Sequence, residues 1–249
     1  KSTANFAPVT RDQIRGAEYL LKQVELYIAL LKSFDARGAE NAFFKCVMLH
    51  GPPGMGKTYL ARYVATSAGE GEENIRFVDA RDFPRRDQAE SWTPIDIKCL
   101  WKILRAYVKK SSKPIILFWD QFDGFTEGDD DGNTLDQLCM EIDGLSGQPN
   151  GVLFIASTTA DLDDFDEQLM RAGRFNSDDA ICFEYPRRKG RADILRFYFN
   201  SKPHDEFDAN ALAYLLHDGT SPADIRDIVS TAYEKAKLRT KNEGERLAI

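Results

Sequence analysis

Eight residues, Gly51-Pro52-Pro53-Gly54-Met55-Gly56-Lys57-Thr58, have the types and spacing to hold a polyphosphate. They lie between an apolar run, Phe43 to Leu49, and a helical pattern, Tyr59 to Ala68. In that strand–loop–helix setting the G-x-x-x-x-G-K-T spacing makes a phosphate-binding loop. Glycines let the backbone curl until several N–H groups face one phosphate, so Pro53, Gly54, Met55 and Gly56 form the expected cradle, with Tyr59 just behind it. Lys57 would supply a point charge to the β- and γ-phosphates, and Thr58 a hydroxyl to Mg²⁺. Taken alone, the same residues would also serve as a plain Gly/Pro turn between strand and helix. A second group decides between these readings. Ile115-Ile116-Leu117-Phe118-Trp119-Asp120 is an apolar strand that ends in a carboxylate. Beside a phosphate loop, an Asp at the carboxyl end of a neighbouring strand orients Mg²⁺, usually through its water shell; elsewhere it would simply cap a turn. The residue that follows is Gln121. Hydrolysis needs a proton acceptor beside the attacking water, and a neutral amide can position water but accepts a proton poorly. These residues predict a chain that binds a nucleoside triphosphate with Mg²⁺ and turns it over slowly.

Composition narrows the setting. The chain has 249 residues, 43% of them hydrophobic, enough for a large domain and a small one. No run approaches the roughly 20 apolar residues that span a bilayer, and no signal-peptide pattern opens the chain. Cys46, Cys99, Cys139 and Cys182 are far apart and show no C-x-x-C spacing, which suits free thiols in an intracellular reducing compartment, cytoplasm or organelle interior. His50, His204 and His217 form no metal-ligand pattern. A net charge of −7 argues against a surface that coats nucleic acid. The Lys-Ser-Thr-Ala start and Arg-Leu-Ala-Ile finish read as a piece of something longer, which leaves room for a membrane tether elsewhere.

The elements that must position these groups follow from periodicity. Ile14, Ala17, Leu20, Leu21, Val24, Ile28 and Leu31 predict an amphipathic helix over 11–33. Strands are expected at Cys46–Leu49, Ile75–Val78, Ile115–Trp119, Val152–Ala156 and Ala180–Phe183, with helices at 58–68, 95–110, 134–142 and 166–171 between them. Strands apolar throughout and separated by helices imply a parallel sheet covered on both faces. After Pro186 the pattern becomes helical only, at 188–199, 208–216 and 221–240, which puts a domain boundary near 185–187. The acidic stretch 127–132 reads as a solvated loop.

With these motifs in hand, the chain resembles the AAA ATPases of the subfamily that includes membrane-anchored AAA proteases, proteasomal ATPases and microtubule-severing enzymes. Asp120-Gln121-Phe122-Asp123 is similar to the family's Asp-Glu-x-Asp. Leu138-Cys139-Met140-Glu141-Ile142-Asp143-Gly144 is similar to Leu-Leu-x-Glu-Met-Asp-Gly. Leu169-Met170-Arg171-Ala172-Gly173-Arg174-Phe175 resembles Leu-Leu-Arg-Pro-Gly-Arg-Phe, and Gly219-Thr220-Ser221-Pro222-Ala223-Asp224-Ile225 resembles Gly-Phe-Ser-Gly-Ala-Asp-Ile. The likeness covers nearly the whole chain.

The resemblance implies a RecA-like P-loop α/β domain over 1–185 and a small helical lid, of four-helix type, over 186–249, with ATP between them. It implies that Arg171, Arg174 or both reach the γ-phosphate of a neighbouring subunit, where the competing reading is a surface salt bridge. Thr159 falls where relatives usually carry the sensor-1 Asn; a hydroxyl there can still hold a water, with fewer hydrogen bonds. Ile14 and Gly16 match the stretch that meets adenine, in competition with an ordinary helix-start turn. Ala223 stands where clamp loaders and replication initiators typically place an Arg, which argues against a DNA-loading role. Trp92 takes the aromatic position of a substrate-gripping pore loop, with Pro94 in place of the usual Gly; the alternative is a Trp packed under a loop. The acidic loop 127–132 falls at the second pore loop.

The function implied is ATP-driven remodelling or unfolding of polypeptides by a homo- or hetero-oligomeric ring, expected to be a hexamer. No nucleic-acid partner is expected. Two rival readings stand beside it: a nucleotide-locked regulatory or scaffold subunit, suggested by Gln121 and Thr159, and a nucleic-acid-acting motor.

Overall fold

A computed structural model describes residues 7–34, 43–69, 75–84, 91–125, 132–145, 150–204 and 206–243. The chain divides into two compact units. The larger holds residues 1–10, 22–51 and 57–182, and the smaller holds 11–21, 52–56 and 183–249.

The larger unit is built on a five-stranded, all-parallel sheet. Its strands are β1 (Phe44–His50), β2 (Arg76–Asp79), β3 (Ile115–Trp119), β4 (Val152–Thr158) and β5 (Ile181–Cys182), in the order β2-β3-β4-β1-β5. Every residue of β3 and β4 is buried, the pattern of a parallel strand covered on both faces. The intervening helices α2 (Lys57–Ala68), α3 (Pro94–Ser111) and α4 (Asn133–Ile142) supply the cover, and the fold is the RecA-like P-loop α/β class. One core cluster joins Met48 of β1, Leu117 and Trp119 of β3 and Phe154 of β4 to Leu100, Trp101 and Leu104 of α3 and Leu138 of α4. α3 begins where it does because Pro94 is pre-set for a first turn and Thr93 and Asp96 cap each other's backbone N–H. Glu141 of α4 is fully buried. Arg105 Nη1 of α3 donates to it at 2.6 Å and Gln137 Nε2 at 3.0 Å, which satisfies a charge otherwise costly to bury.

In the smaller unit, helices α5 (Arg188–Asn200), α6 (Ala209–Leu215) and α7 (Pro222–Glu243) follow Phe183. Ile194, Leu195 and Phe199 of α5 pack with Ala213 of α6 and Ile225 and Val229 of α7. Asp208 caps α6, and Ser221 and Asp224 close a reciprocal cap on α7. The buried Arg191 donates to the carbonyls of Pro186 and Ala213.

Two expected helices differ. Residues 11–33 are a short 3₁₀ turn, Arg11–Gln13, and then α1, Glu18–Ser33, because Gly16 at φ +74° leaves the helical region between them. Residues 166–171 form tight turns rather than a helix. The Phe175 N–H reaches back to the Leu169 carbonyl and the Arg174 N–H to the Arg171 carbonyl, and six residues are too few to offset the cost of starting a helix. β4 runs two residues past its expected end, to Thr158. Among the cysteines, Cys46 and Cys139 are buried, Cys99 is half-buried and Cys182 is exposed, all as free thiols. Burial raises the thiol pKa of both Cys46 and Cys139, which leaves them unreactive. No helix among the described residues is long and apolar enough to cross a membrane.

Candidate functional site

The parallel register of β3 and β4 assembles one wall of the site. Trp119 pairs with Ala156, so the residues that follow, Asp120 and Ser157, emerge side by side at the carboxyl ends of their strands. Ser157 Oγ donates a short hydrogen bond to Asp120 Oδ1. Asp120 Oδ2 accepts from Thr58 Oγ1 at 3.3 Å, across the 62 residues that separate the phosphate-loop helix from β3. One position on, Thr158 Oγ1 donates to Asp123 Oδ1 at 2.7 Å and accepts from the Ala160 N–H. Lys57, the first residue of α2, is buried and its Nζ donates to the Gly51 carbonyl at 2.5 Å. Burial holds the Lys57 pKa below its usual value, and the nearby carboxylates Asp120 and Asp123 offset only part of that. Burial, aided by the same ammonium, lowers the His50 pKa from its usual value.

This donor set fits a Mg²⁺ ion held mainly by phosphate and water. Among the described residues no three metal-ligating side chains converge, so the protein offers one carboxylate oxygen of Asp120 and the Thr58 hydroxyl beside it. Both are hard oxygens, and Mg²⁺ takes few protein ligands when phosphate supplies the rest.

Gln121 is the outlier of this wall. Its side chain is exposed and its backbone sits at φ +56°, in the left-handed region that non-glycine residues enter at a cost of roughly 1–2 kcal/mol. The Gly124 N–H closes the turn onto the Gln121 carbonyl. β3 thus ends by turning Asp120 inward against its neighbours and Gln121 outward. Thr159 is exposed and lies one residue beyond β4; the hydroxyls that meet the two carboxylates belong to Ser157 and Thr158. Neither stood out in the sequence. Their only signal is adjacency to an apolar strand whose register with β3 has to be known.

The phosphate loop is seated in the smaller unit by the start of α7. Gly54 has φ +75°, and a Cβ there would lie 2.7 Å from Ser221 Oγ and 3.0 Å from Ala223 Cβ. The Ala223 N–H donates to the Gly54 carbonyl at 3.2 Å. Gly54 is therefore required both by its backbone and by the approach of α7. Met55 is buried, whereas Pro53, Gly56 and Tyr59 are exposed. Ile14 is buried in the same unit, and Gly16 lies against α5, where a Cβ would come within 2.8 Å of Ile194 Cδ1.

Arg171 and Arg174 share a turn and differ in every other respect. Arg174 forks onto Asp143 at 2.9 and 2.7 Å and donates to the Gln168 carbonyl at 2.5 Å. The fork holds the Asp143 carboxyl below its ordinary range. Arg171 is exposed, with no ion pair among the described residues. For Trp92 the sequence leaves two readings, a pore-loop aromatic and a Trp packed under a loop. Its ring is half-buried, 4.3 Å from Trp119 and stacked at 5.8 Å on Phe83, because β3 ends in an aromatic cluster that its indole completes. Residues 127–131 of the acidic stretch lie outside the described residues.

A family model, "ATPase family associated with various cellular activities (AAA)", matches residues 47–182. The chain is 32% identical over 250 residues to ATP-dependent zinc metalloprotease FtsH 1 of Conexibacter woesei, covering 94% of this chain and 35% of that protein. It is 32% identical over 254 residues to the FtsH of Kosmotoga olearia, covering 97% of this chain and 37% of the relative. The chloroplastic FTSH 2 of Arabidopsis thaliana is 29% identical over 247 residues, covering 94% and 33%. The chain spans about a third of the length of these relatives.

Proposed function

The chain belongs to the AAA family of ATPases, and on that premise we propose that it binds ATP with Mg²⁺ and hydrolyses it slowly, as one subunit of a polypeptide-remodelling ring. The observation that carries the slow step is the end of β3. Asp120 is held by Thr58 and Ser157, while its neighbour at the water-activating position is an exposed amide in a left-handed turn. Lys57 and the loop residues 53–58 bind the phosphates, Tyr59 follows them into α2, and Ala223 keeps the loop seated by its bond to Gly54. When bound, Mg²⁺ would supply positive charge to offset that of the phosphates. Thr58 and Asp120 would hold that ion. Ser157 and Thr158 fix the two carboxylates, and Thr159, next along, is placed to meet water from outside this network. Gln121 can orient water through its amide, but no group at this position takes the proton well.

Assembly completes the site. Arg171 reaches a neighbouring subunit's γ-phosphate, and Arg174 holds the turn that presents it. Ile14 and Gly16 provide the backbone edge that meets adenine. Residues 1–185 act as the nucleotide-binding domain and 186–249 as its lid. The ring is a hexamer, homo- or hetero-oligomeric, in an intracellular compartment, and any membrane contact comes through segments beyond these 249 residues. Trp92 grips the polypeptide only if it leaves the cluster around Trp119 during the cycle.

Mixing tests the shared site. A Lys57→Ala chain and an Arg171→Ala chain, each carrying Gln121→Glu, should both be inactive alone and regain ATP turnover together. Two inactive partners that stay inactive argue for a site complete within one subunit. Unfolded polypeptide should stimulate turnover of the Gln121→Glu chain; stimulation by DNA or RNA instead favours a nucleic-acid motor. The regulatory-subunit reading, which Gln121 also supports, gains if Gln121→Glu restores nothing while nucleotide still drives assembly.

A further inference from the structure

Arg81 stands where a cation is needed and is not part of any motif described above. It follows β2, at the edge of the sheet next to β3, in the short 3₁₀ turn Ala80–Asp82. Its Nε and Nη2 fork onto Asp79 at 3.1 and 2.8 Å, and its own backbone N–H donates to the same carboxylate at 3.0 Å. The two side-chain bonds fix the plane of the guanidinium, and the backbone bond holds Asp79 in place to receive it. The remaining Nη1 lies 3.4 Å from Asp120 Oδ2, the oxygen that also accepts from Thr58. The guanidinium and the Thr58 hydroxyl therefore share one oxygen of Asp120. It is half-exposed, so it can swing away without unpacking the core.

We propose that Arg81 is a positioning residue that acts as a built-in competitor for divalent metal at Asp120, aimed by Asp79. A guanidinium cannot lose its charge and forks readily onto carboxylates, so it neutralises Asp120 as a metal would. Nη1 would have to leave Oδ2 for that oxygen to serve a divalent ion, while Arg81 keeps its fork to Asp79. The consequence is a raised Mg²⁺ requirement for nucleotide binding. This rests on the reading that Thr58 and Asp120 hold the metal.

The test reads binding, not turnover. A fluorescent ATP analogue at fixed concentration is titrated with MgCl₂, and the Mg²⁺ midpoint is taken from anisotropy. An exposed ion pair of this length is weak, so Arg81→Ala should lower the midpoint by about two- to five-fold. Arg81→Lys should lower it by less, because a single ammonium that stays with Asp79 releases Asp120 only in part. Unchanged melting curves would show that both variants fold. A midpoint that is unmoved or raised by Arg81→Ala overturns the proposal, and a raised one would mean that the guanidinium contacts phosphate. An Arg81→Lys midpoint equal to wild type, with Arg81→Ala shifted, also overturns it, since bulk charge would then suffice. Asp120→Asn separates the two levels. If wild-type binding ignores Mg²⁺, or Asp120→Asn leaves the midpoint unchanged, the metal assignment fails and this proposal with it. A normal Asp120→Asn effect with no Arg81 effect removes this proposal alone.

Discussion

The end of β3 and the turn at 168–175 are built on the same plan. Each pairs a residue tied into its own chain with a neighbour turned outward. At the strand end Asp120 is fixed by Thr58 and Ser157, and Gln121 faces out. At the turn Arg174 is fixed by Asp143 and Gln168, and Arg171 faces out. They differ in what the outward residue can do. Arg171 keeps the charge that would stabilise a transferring phosphoryl group, whereas Gln121 lacks the carboxylate that would accept a proton. On the proposed reading the binding groups are kept and one chemical step is weakened, which would locate a deficit at a single side chain.

The largest expected effect comes from splitting the arginine pair. In the Gln121→Glu background, Arg171→Ala should lower ATP turnover by about 10³-fold or more, the range of arginine fingers, with the melting temperature unchanged. Equal losses from Arg171→Ala and Arg174→Ala, neither with a stability change, would break the distinction between held and outward residues. Ser157→Ala removes a hydrogen bond to a charged acceptor and should cost about 1.5–3 kcal/mol, read as weaker Mg–ATP binding and a lower melting temperature. Arg174→Ala should cost on the order of 1 kcal/mol of stability, since Asp143 is partly exposed. The pH dependence sharpens this point. The Asp143 pKa is depressed in the folded chain, so the Arg174 pairing stabilises fully above the ordinary Asp pKa of about 3.9 and is lost as pH falls through the lower folded value. Wild type and Arg174→Ala should therefore converge in melting temperature in strong acid. Smallest is Ser221→Ala, which removes the α7 cap at a cost of about 1 kcal/mol and loosens the seat of Gly54.

The sheet was legible because its strands are apolar runs bounded by turns, a pattern that burial on both faces imposes. The phosphate loop and Asp120 were legible because their chemistry demands particular residue types at fixed spacing. Ser157, Thr158 and Arg81 were not, since each matters through strand register: Ser157 lies beside Asp120 only because Trp119 pairs with Ala156, and Arg81 reaches Asp120 only because β2 pairs with β3. Arg171 and Arg174 are equivalent in sequence and separate only when Asp143, 31 residues away, claims one of them. The posture of Trp92 was left open between two readings for a related reason. Its flanks are polar and turn-forming, but the aromatic end of β3 that receives it is 27 positions along the chain.

If Gln121 alone limits hydrolysis, replacing it by Glu should restore the rate. Single-turnover ATP hydrolysis is measured for wild type and Gln121→Glu under the same saturating Mg²⁺, with nucleotide affinity determined in parallel. A carboxylate restored at this position should raise the rate by about 10²–10⁴-fold while affinity stays within a few-fold. Equal rates for the two chains would contradict the claim and place the deficit outside the end of β3.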